Sequence, residues 1–328
     1  MRFGAFLPQG WRLDLVGIEP ENQWQTMLDF AGRREAGSWD LLWIYDHFHT
    51  LPVPTEETTH EAWSLMAALA ATTQRVRLGQ MCYCMAYRNP GHLAKVAATC
   101  DVISGGRVEM GIGGGWYEHE WRAYGYGFRP PGGRSARHAR PRRADHASGV
   151  DGRRRHARRE ALPGGRRSRP AAATAGRRHP AVDRRRRREE DATHRGEARA
   201  IHQLRHHPTF TRKSDILAQH CRDVGRDFAE ITRSDNYNLV ICETEQDVKD
   251  KLDWIHEHYA RTVPADQAER TRKLFADGPL VGTPEQLVER LREAEGVGLT
   301  YAIRYVVDAI YDPVSLEPLT TRVIPELA

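Results

Sequence analysis

The chain has 328 residues, enough for one large α/β domain or two ordinary ones. Its net charge of +5 would suggest a nucleic-acid or membrane partner, but that charge is confined to one segment. Residues 134–205 contain 23 Arg, no Lys and 8 acidic residues, whereas the rest of the chain carries a net charge of −10. Overall composition therefore gives no support for a nucleic-acid partner, and we expect none.

Outside that segment the sequence is typical of a cytoplasmic protein, and cytoplasmic localisation is our expectation. No apolar run approaches the ~20 residues of a membrane helix, so we expect no membrane partner. The start, MRFGAFLPQGW, lacks the basic segment and long apolar core of a signal peptide. The five cysteines are odd in number and lack a Cys-x-x-Cys spacing. We expect reduced, mostly buried thiols and no metal site.

Before Pro130 the apolar pattern alternates between strands and helices. The predicted strands are Arg2–Leu7, Leu41–Tyr45, Val76–Cys84 and Arg107–Ile112, and the predicted helices are Asn22–Ala36, Thr59–Thr73 and Pro90–Ser104. The run LLWIY at Leu41–Tyr45 is continuously apolar, as in a strand that is buried on both faces. Because each strand is followed by a loop and a helix, the pattern predicts a parallel sheet.

The same alternation resumes after Pro208. The predicted helices are Thr211–Val224, Glu245–His258 and Pro284–Glu295, and the predicted strands are Ile231–Val240 and Leu299–Val306. Thr283 is the predicted N-cap of the helix that begins at Pro284, with Gln286 in the capping-box position. The pattern gives about six strand–helix units, whereas a closed (β/α)8 barrel has eight. We therefore divide the chain into barrel parts at residues 1–129 and 209–328, separated by an anomalous segment at 130–208.

The anomalous segment admits four interpretations. High charge and low hydrophobicity fit a disordered basic linker, and Arg runs such as Arg184–Arg188 fit a nucleic-acid-binding arm. Lys, Phe, Tyr and Trp are all absent between Arg134 and Arg205, however, and single-strand binders interleave aromatic side chains. A histidine-rich metal site is the third interpretation, although the histidines show no repeated ligand spacing. The fourth is a shifted reading frame.

The genetic code can test the frameshift interpretation. Codons from His179 onward, read from their second base, permit IPLWIAGGGEKKTLRIAAKHARYTN, which contains a strand, a Gly-rich turn, a helix and the start of another strand. Codons for Ala136–Ala147 permit LGMLDRGVQIMR, an amphipathic helix. These are elements that the barrel lacks, so we interpret residues 130–208 as translated out of frame. We expect this segment to be irregular and the fifth and sixth barrel strands to be missing.

Four sequence stretches together resemble the luciferase-like flavin and deazaflavin oxidoreductases. They are MRFGAFLPQ, LLWIYDHFHT, the stretch from RVRLGQMCYC to GIGGGWYEHEW, and PLVGTPEQLVERL. The resemblance covers nearly all of residues 1–129 and 209–328, and the ordered combination is more specific than any one motif. It implies a TIM (β/α)8 barrel that uses the deazaflavin coenzyme F420. Flavin mononucleotide (FMN) stays open as the alternative cofactor, because its users share most of these motifs.

The resemblance also implies catalytic residues at the C-terminal ends of the strands, where barrel enzymes place them. Asp46 and His47 follow the second predicted strand. Family residues at these positions contact the cofactor ring and assist proton transfer, for which histidine is well suited near neutral pH. A capping Asp beside a structural His is the open alternative. Trp116 stands where related sugar-phosphate dehydrogenases have a catalytic Glu, so we assign the acid to Glu118, with Glu120 as the other nearby carboxylate.

The cofactor-binding candidates lie after the third and fourth predicted strands. After the fourth strand they are Gly113, Gly114, Gly115 and Trp116, since glycine lets a ligand approach the backbone closely. A tight strand-to-helix turn alone would also require glycine. At the end of the third strand they are Gln80, Met81 and Cys82, where the family often has a cis peptide behind the cofactor ring. Asp46 completes the set.

Tyr87, Arg88 and Asn89 begin the next loop and are candidates to line the cofactor groove. Helix capping by Asn89 ahead of Pro90 explains the same residues equally well.

The resemblance implies hydride transfer between coenzyme F420 and a small organic substrate. An FMN-dependent monooxygenase is the alternative, and an Arg-rich binding protein or inactive translation product is the alternative from another class. As the chain is written, the Gly-rich phosphate turn is lost with the shifted segment, so we expect impaired cofactor binding and poor solubility. The expected partner is a small-molecule substrate, and the family is often dimeric.

Overall fold

The backbone alternates between parallel strands and helices. The computed structural model describes residues 1–128 and 210–327 with their side chains. For residues 181–184, 199–200 and 207–209 it describes the backbone alone. The strands are β1 (Arg2–Phe6), β2 (Leu41–Ile44), β3 (Arg77–Gln80), β4 (Tyr83–Cys84), β5 (Val108–Gly113), β6 (Ala181–Arg184), β7 (Arg199–Ala200), β8 (Ser234–Ile241), β9 (Leu280–Gly282) and β10 (Tyr301–Tyr305). The helices are α1 (Pro20–Ala36), α2 (Ala62–Thr72), α3 (Pro90–Ser104), α4 (Glu118–Ala123), α5 (His207–Asp223), α6 (Glu245–Ala260), α7 (Ala265–Ala276) and α8 (Pro284–Gly296).

The strand order is that of a (β/α)8 barrel. Neighbouring strands pair in the order β7-β6-β5-β3-β2-β1-β10-β8, with β9 beyond β8 and β4 on β5. All of these pairs are parallel. The first strand thus lies beside the last, as closure of a barrel requires. Within the described residues no pairing joins β7 to β8.

Two short strands lie inside the anomalous segment, where none is expected from the sequence. Residues 181–184 pair with β5 in a register that places Ala181 opposite Met110, and Arg199 and Ala200 pair with β6. Backbone pairing depends little on side-chain identity, and it satisfies hydrogen-bonding groups that β5 would otherwise leave open at an edge. The longer strand coincides with the residues whose shifted codons permit LWIA. The Gly-rich turn and the helix of the shifted frame lie outside the described residues.

Alternating side chains of the strands supply an inner and an outer core. In β2, Leu42 and Ile44 pack in the outer cluster beneath the helices, whereas Leu41 and Trp43 belong to the inner cluster. The four residues of β2 are at most 1% exposed, which confirms a strand buried on both faces. Trp43 Nε1 donates to the hydroxyl of Tyr301 on β10 at 2.8 Å, so a polar bond in the inner core joins the two strands that flank β1.

Helix starts follow the capping signals in the sequence. Thr283 and Gln286 form the predicted capping box of α8, and the Asn89 side chain accepts the N–H groups of Gly91 and His92 at the start of α3. Asn89 is therefore an N-cap. No helix in the described ranges combines the length and the apolar character needed to span a bilayer.

The structure adds elements that the apolar pattern did not predict. The predicted strand Val76–Cys84 is divided into β3 and β4, which lie on either side of Met81 and Cys82, and the peptide bond between these two residues is cis. Helix α4 was not predicted, since its six residues are too few for a periodic pattern. Helix α7 and strand β9 were also not predicted. All five cysteines are free, and four of them are buried.

Candidate functional site

The candidate site lies where β2, β3 and β5 end. Asp46 and His47 follow β2, the Met81–Cys82 bond follows β3, and the Gly113–Gly115 run ends β5 ahead of α4. Since the strands are parallel, their C-terminal ends share one end of the barrel. The fold thus brings the sequence-predicted stretches together.

His47 is held in place on three sides. Its Nδ1 lies 2.9 Å from Oε2 of Glu120, and its ring stacks on the Trp11 indole with centroids 4.1 Å apart and planes inclined by 2°. The Trp116 ring approaches edge-on at 5.9 Å. Among the described residues no hydrogen-bond partner is found for Nε2 of His47. Only this second ring nitrogen is available to exchange a proton with a ligand.

Glu120 is a fully buried carboxylate at the centre of a hydrogen-bond network. Besides His47, its Oε1 accepts the backbone N–H groups of Phe48 at 2.7 Å and His49 at 3.1 Å, and its Oε2 accepts the hydroxyl of Tyr87 at 3.1 Å. Burial alone would raise the pKa of Glu120, but the hydrogen bonds from His47 and the backbone lower it. An ionised Glu120 can only accept, so a neutral His47 carries its proton on Nδ1.

The structure does not bring Glu118 to His47. The Glu118 side chain is exposed and accepts from Nε of Arg122 at 2.8 Å, one turn further along α4. Residues two apart on a helix point away from each other, so Glu120 faces the barrel while Glu118 faces outward. The carboxylate beside His47 is therefore Glu120.

Asp46 is engaged in a bidentate ion pair. Both of its oxygens accept from the guanidinium of Arg88, with Nη2 at 2.7 Å from Oδ1, and its Oδ2 also accepts the backbone N–H of Cys84 at 2.8 Å. Arg88 extends the network to Glu61 at 2.9 Å. Asp46 thus ties the end of β2 to β4 and to the loop before α3, which is an anchoring position.

Gly113, Gly114 and Gly115 have different surroundings, so glycine is required at these positions for different reasons. A Cβ on Gly113 would lie 2.9 Å from Cβ of Cys82, and a Cβ on Gly115 would lie 2.6 Å from Sγ of Cys84. Gly115 also has a φ of +72°, which disfavours other residues. A Cβ on Gly114 would meet nothing within 4 Å. Packing explains two of these glycines, and Gly114 is the one that faces open space.

The other predicted cofactor-binding residues differ in how far they are exposed to a ligand. Met81 and Cys82 carry the cis peptide bond at the place that the family resemblance indicates. Trp116 is 49% exposed beside His47, so a ligand can reach its ring. Gln80 is only 2% exposed, and neither amide atom has a partner among the described residues.

Two site residues, Trp11 and Tyr87, had little or no signal in the sequence. Trp11 lies in the loop after β1, where no motif marks it as a neighbour of His47. Tyr87 was a candidate to line the groove, but its hydroxyl instead supports Glu120. In the described part of the chain no three His, Cys, Asp or Glu side chains are placed to hold a metal ion. A cavity of about 330 Å³ between β8, β9 and α8 is lined by none of the predicted site residues.

Comparisons with known proteins find relatives for the first part of the chain and for the fold. Residues 1–144 match the family model described as luciferase-like monooxygenase. The F420-dependent glucose-6-phosphate dehydrogenase of Amycolatopsis mediterranei (strain U-32) is 37% identical over 94 residues, which are 28% of this chain and 27% of that protein. The chain thus matches only about a quarter of the length of this curated relative.

Solved structures match over the whole length. The monooxygenase RslO1 from Streptomyces bottropensis superposes with a TM-score of 0.72 at 16% identity, covering 100% of both chains. The oxygenating constituent of 3,6-diketocamphane monooxygenase from Pseudomonas putida, solved with FMN, gives a TM-score of 0.65 at 14% identity, covering 100% of this chain and 99% of that one. At such identities the likeness shows the fold alone, which is that of a (β/α)8 barrel.

Proposed function

We infer, from the match of residues 1–144 to the luciferase-like monooxygenase family model, that the chain is built as an oxidoreductase. The proposed reaction is hydride transfer between coenzyme F420 and a small organic substrate. The observation that carries this proposal is His47, whose Nδ1 is fixed by the buried Glu120 while Nε2 stays free of partners in the described part of the chain. Moving a hydride to or from a C–O centre requires a proton partner at the oxygen, and His47 supplies one.

The residues present fit a flat cofactor ring. Gly114 leaves open backbone, Trp116 exposes an aromatic face, and Met81 and Cys82 form a cis turn beside them. These residues would hold the cofactor, which supplies the hydride chemistry when bound. Its use by the F420-dependent glucose-6-phosphate dehydrogenase supports the deazaflavin assignment.

Each side chain of the cluster then has a distinct task. In the oxidation direction, Nε2 of His47 takes the hydroxyl proton of the substrate as the C–H bond gives up its hydride, and reduction reverses both transfers. Glu120 keeps the proton of the neutral imidazole on Nδ1 and stabilises the imidazolium that forms. Trp11 stacks on the ring and restricts its rotation. Asp46 and Arg88 are positioning residues that anchor the loop carrying His47.

The chain as written is proposed to bind the cofactor poorly. The expected phosphate-binding turn belongs to the shifted frame of residues 130–208, so its glycine backbone is replaced by an Arg run. The test compares two full-length proteins: this chain, and one from a gene whose frame is restored across the codons for Phe128–Pro131 and His206–Phe210. We expect the restored protein to bind F420 at least about tenfold more tightly.

The outcomes of that titration separate the hypotheses. Tight, stoichiometric F420 binding by the chain as written would overturn the impairment. In the restored protein, His47→Asn should still bind F420 but lose hydride transfer, which separates binding from proton exchange. If neither protein binds F420 or FMN, the Arg-rich binding protein or inactive product becomes the better hypothesis.

An FMN-dependent monooxygenase is the second candidate function. It is favoured by Trp116, which replaces the acid that the related sugar-phosphate dehydrogenases use, and by the FMN-bound structural neighbour. Oxygen consumption by the restored protein with reduced FMN, compared with F420 reduction under the same conditions, distinguishes the two candidates.

A further inference from the structure

The loop between β1 and α1 supports His47 from one side. Its Trp11 ring stacks on the imidazole of His47, and the carbonyl oxygen of Trp11 accepts the backbone N–H of Leu51 at 2.7 Å. Leu51 lies in the same loop as His47, the one that follows β2. The two loops are thus joined by a ring contact and a backbone hydrogen bond, so the position of Trp11 determines how firmly the imidazole is held.

The backbone of this loop adopts an unfavourable conformation. Leu13 has a φ of +61°, which is the only positive φ at a residue other than glycine in the described part of the chain. The left-handed region brings Cβ close to the following carbonyl oxygen, so it is disfavoured for leucine. The Leu13 side chain is fully buried in the inner cluster that also contains Trp11 and Val16. Such a conformation persists only where surrounding contacts enforce it.

Three ring side chains donate hydrogen bonds to carbonyl oxygens of the loop. The pairs of donor and acceptor residues are Tyr259 and Arg12 at 2.8 Å, His258 and Leu13 at 2.8 Å, and Tyr311 and Val16 at 2.9 Å. Two of these donors lie on α6, and the third follows β10. The conformation of the loop therefore depends on residues that lie 245 or more positions later in the sequence.

His258 is the donor whose acceptor is the residue in the left-handed conformation. It is fully buried, and its ring stacks on that of Trp254 with centroids 4.9 Å apart. A carbonyl oxygen can only accept, so Nε2 of His258 carries the proton. Burial lowers the pKa of His258, which favours the neutral ring, and Nδ1 has no hydrogen-bond partner within the described residues. The ring therefore contributes one N–H group to hydrogen bonding, and Leu13 receives it.

We propose that His258 is a positioning residue for His47, because its bond to Leu13 holds the loop in the conformation that keeps Trp11 stacked on the imidazole. This rests on the proposed function, in which Nε2 of His47 exchanges a proton with the substrate. A stacked imidazole turns less freely, so its Nε2 keeps one direction. A displacement of about 1 Å in a reacting group can cost about 10²-fold in rate. The contact passes from α6 through Leu13 and Trp11 to the imidazole.

Nuclear magnetic resonance of the histidine rings tests the proposal without any cofactor. The stacked indole of Trp11 shifts the ring protons of His47 upfield, and this shift is measured on the full chain with labelled histidine. His47→Asn identifies the signal, and Trp11→Leu gives the value for an unstacked ring.

His258→Phe keeps the ring stack on Trp254 but removes the donor, so we expect it to lose most of the upfield shift of His47. His258→Gln should keep most of the shift, because its amide nitrogen reaches the position of Nε2 and can donate to Leu13. His256→Phe is the matched control, since His256 also lies on α6 but faces Glu269 of α7. It should leave the shift unchanged.

The shift distinguishes positioning from a general loss of stability, because a destabilised protein keeps the native shift in its folded fraction. A wild-type shift in His258→Phe, or the same shift in the wild type and Trp11→Leu, overturns the proposal. If His258→Phe fails to fold by circular dichroism, His258→Asn takes its place, since its amide nitrogen reaches only the position of Nδ1.

Hydride transfer by the frame-restored enzyme separates this proposal from the proposed function. With His47 as the proton-exchanging group, His258→Phe should lower kcat by about 10- to 100-fold, with a smaller change in F420 affinity. A lost upfield shift with unchanged hydride transfer would support the positioning and count against the proposed role of His47. An unchanged shift overturns the positioning, whatever the rate.

Discussion

Oε2 of Glu120 lies 2.9 Å from Nδ1 of His47, although the two residues are 73 positions apart in the sequence. The same carboxylate accepts the N–H groups of Phe48 and His49, which follow His47 in the loop after β2. One buried side chain on α4 therefore fixes both the backbone of the loop and the tautomer of its histidine. This contact links the packing of α4 to the proton transfer that we propose for His47.

Glu120→Gln should impair proton transfer through His47. The amide can donate as well as accept, so it no longer enforces a proton on Nδ1, and the second tautomer becomes populated. We expect kcat of the frame-restored enzyme to fall by about 10²- to 10⁴-fold, and the folding stability by about 1–3 kcal/mol through the altered buried hydrogen bonds. Nitrogen-15 NMR shifts of the His47 ring would report the tautomers directly, without any cofactor.

Glu118→Gln is the matched control for that variant. Its side chain is exposed on the opposite face of α4, so neither kcat nor the His47 tautomer should change. A large loss of activity in Glu118→Gln, with little loss in Glu120→Gln, would show that the acid is Glu118, as the sequence analysis assigned.

The framework of the site was predictable from local sequence signals. LLWIY followed by Asp46 and His47 gave a strand with polar residues at its end, and Thr283 with Gln286 gave a helix start. Such signals succeed because hydrophobic periodicity and capping depend on residues close in the sequence.

The choice between Glu118 and Glu120 was not predictable in this way. It depends on which face of a six-residue helix packs against a loop some 70 residues earlier. Trp11 presents the same difficulty, because its contact with His47 arises only when β1 and β2 lie side by side. The sequence correctly placed Asp46 at the end of β2, but its pairing with Arg88 depends on the turn between β3 and α3. Contacts that tertiary packing decides leave no periodic trace in the sequence.

Gly115→Ala should lower the folding stability, whereas Gly114→Ala should weaken cofactor binding and leave the stability nearly unchanged. A Cβ on Gly115 would approach Sγ of Cys84 to 2.6 Å at a φ of +72°, so Gly115→Ala should lower the free energy of unfolding by about 1–3 kcal/mol. Gly114→Ala should change it by less than about 0.5 kcal/mol, yet weaken F420 binding. Urea denaturation and F420 titration of the frame-restored protein measure the two effects. Unchanged F420 affinity in Gly114→Ala would remove Gly114 from the proposed binding surface.

Arg88→Met should be strongly destabilising because it leaves Asp46 buried without its bidentate partner. The Asp46 side chain is fully buried and that of Arg88 is 15% exposed, so we expect a loss of about 3–5 kcal/mol. Arg122→Met, which removes the exposed partner of Glu118, should cost less than about 1 kcal/mol. Adding Asp46→Asn to Arg88→Met should restore part of the stability. If the double variant loses the sum of the two single losses, the ion pair is not a coupled unit.

Asp14, in the loop after β1, should make the stability of the fold depend on pH. Burial raises the pKa of Asp14 to about 6, against about 3.9 in an unfolded chain. The folded protein therefore keeps this proton where the unfolded chain has lost it. The resulting stabilisation is complete below about pH 4 and is lost as the pH rises through about 6.

Asp14→Asn removes this titration and so isolates its contribution. A difference of about 2 pKa units corresponds to roughly 3 kcal/mol. From pH 4 to pH 7, the free energy of unfolding of Asp14→Asn should therefore rise relative to the wild type by up to that amount. Urea denaturation of both proteins at several pH values measures the difference. Asp266→Asn, at an exposed position in the first turn of α7, is the control. A constant difference between Asp14→Asn and the wild type across this range would mean that folding does not raise the pKa of Asp14.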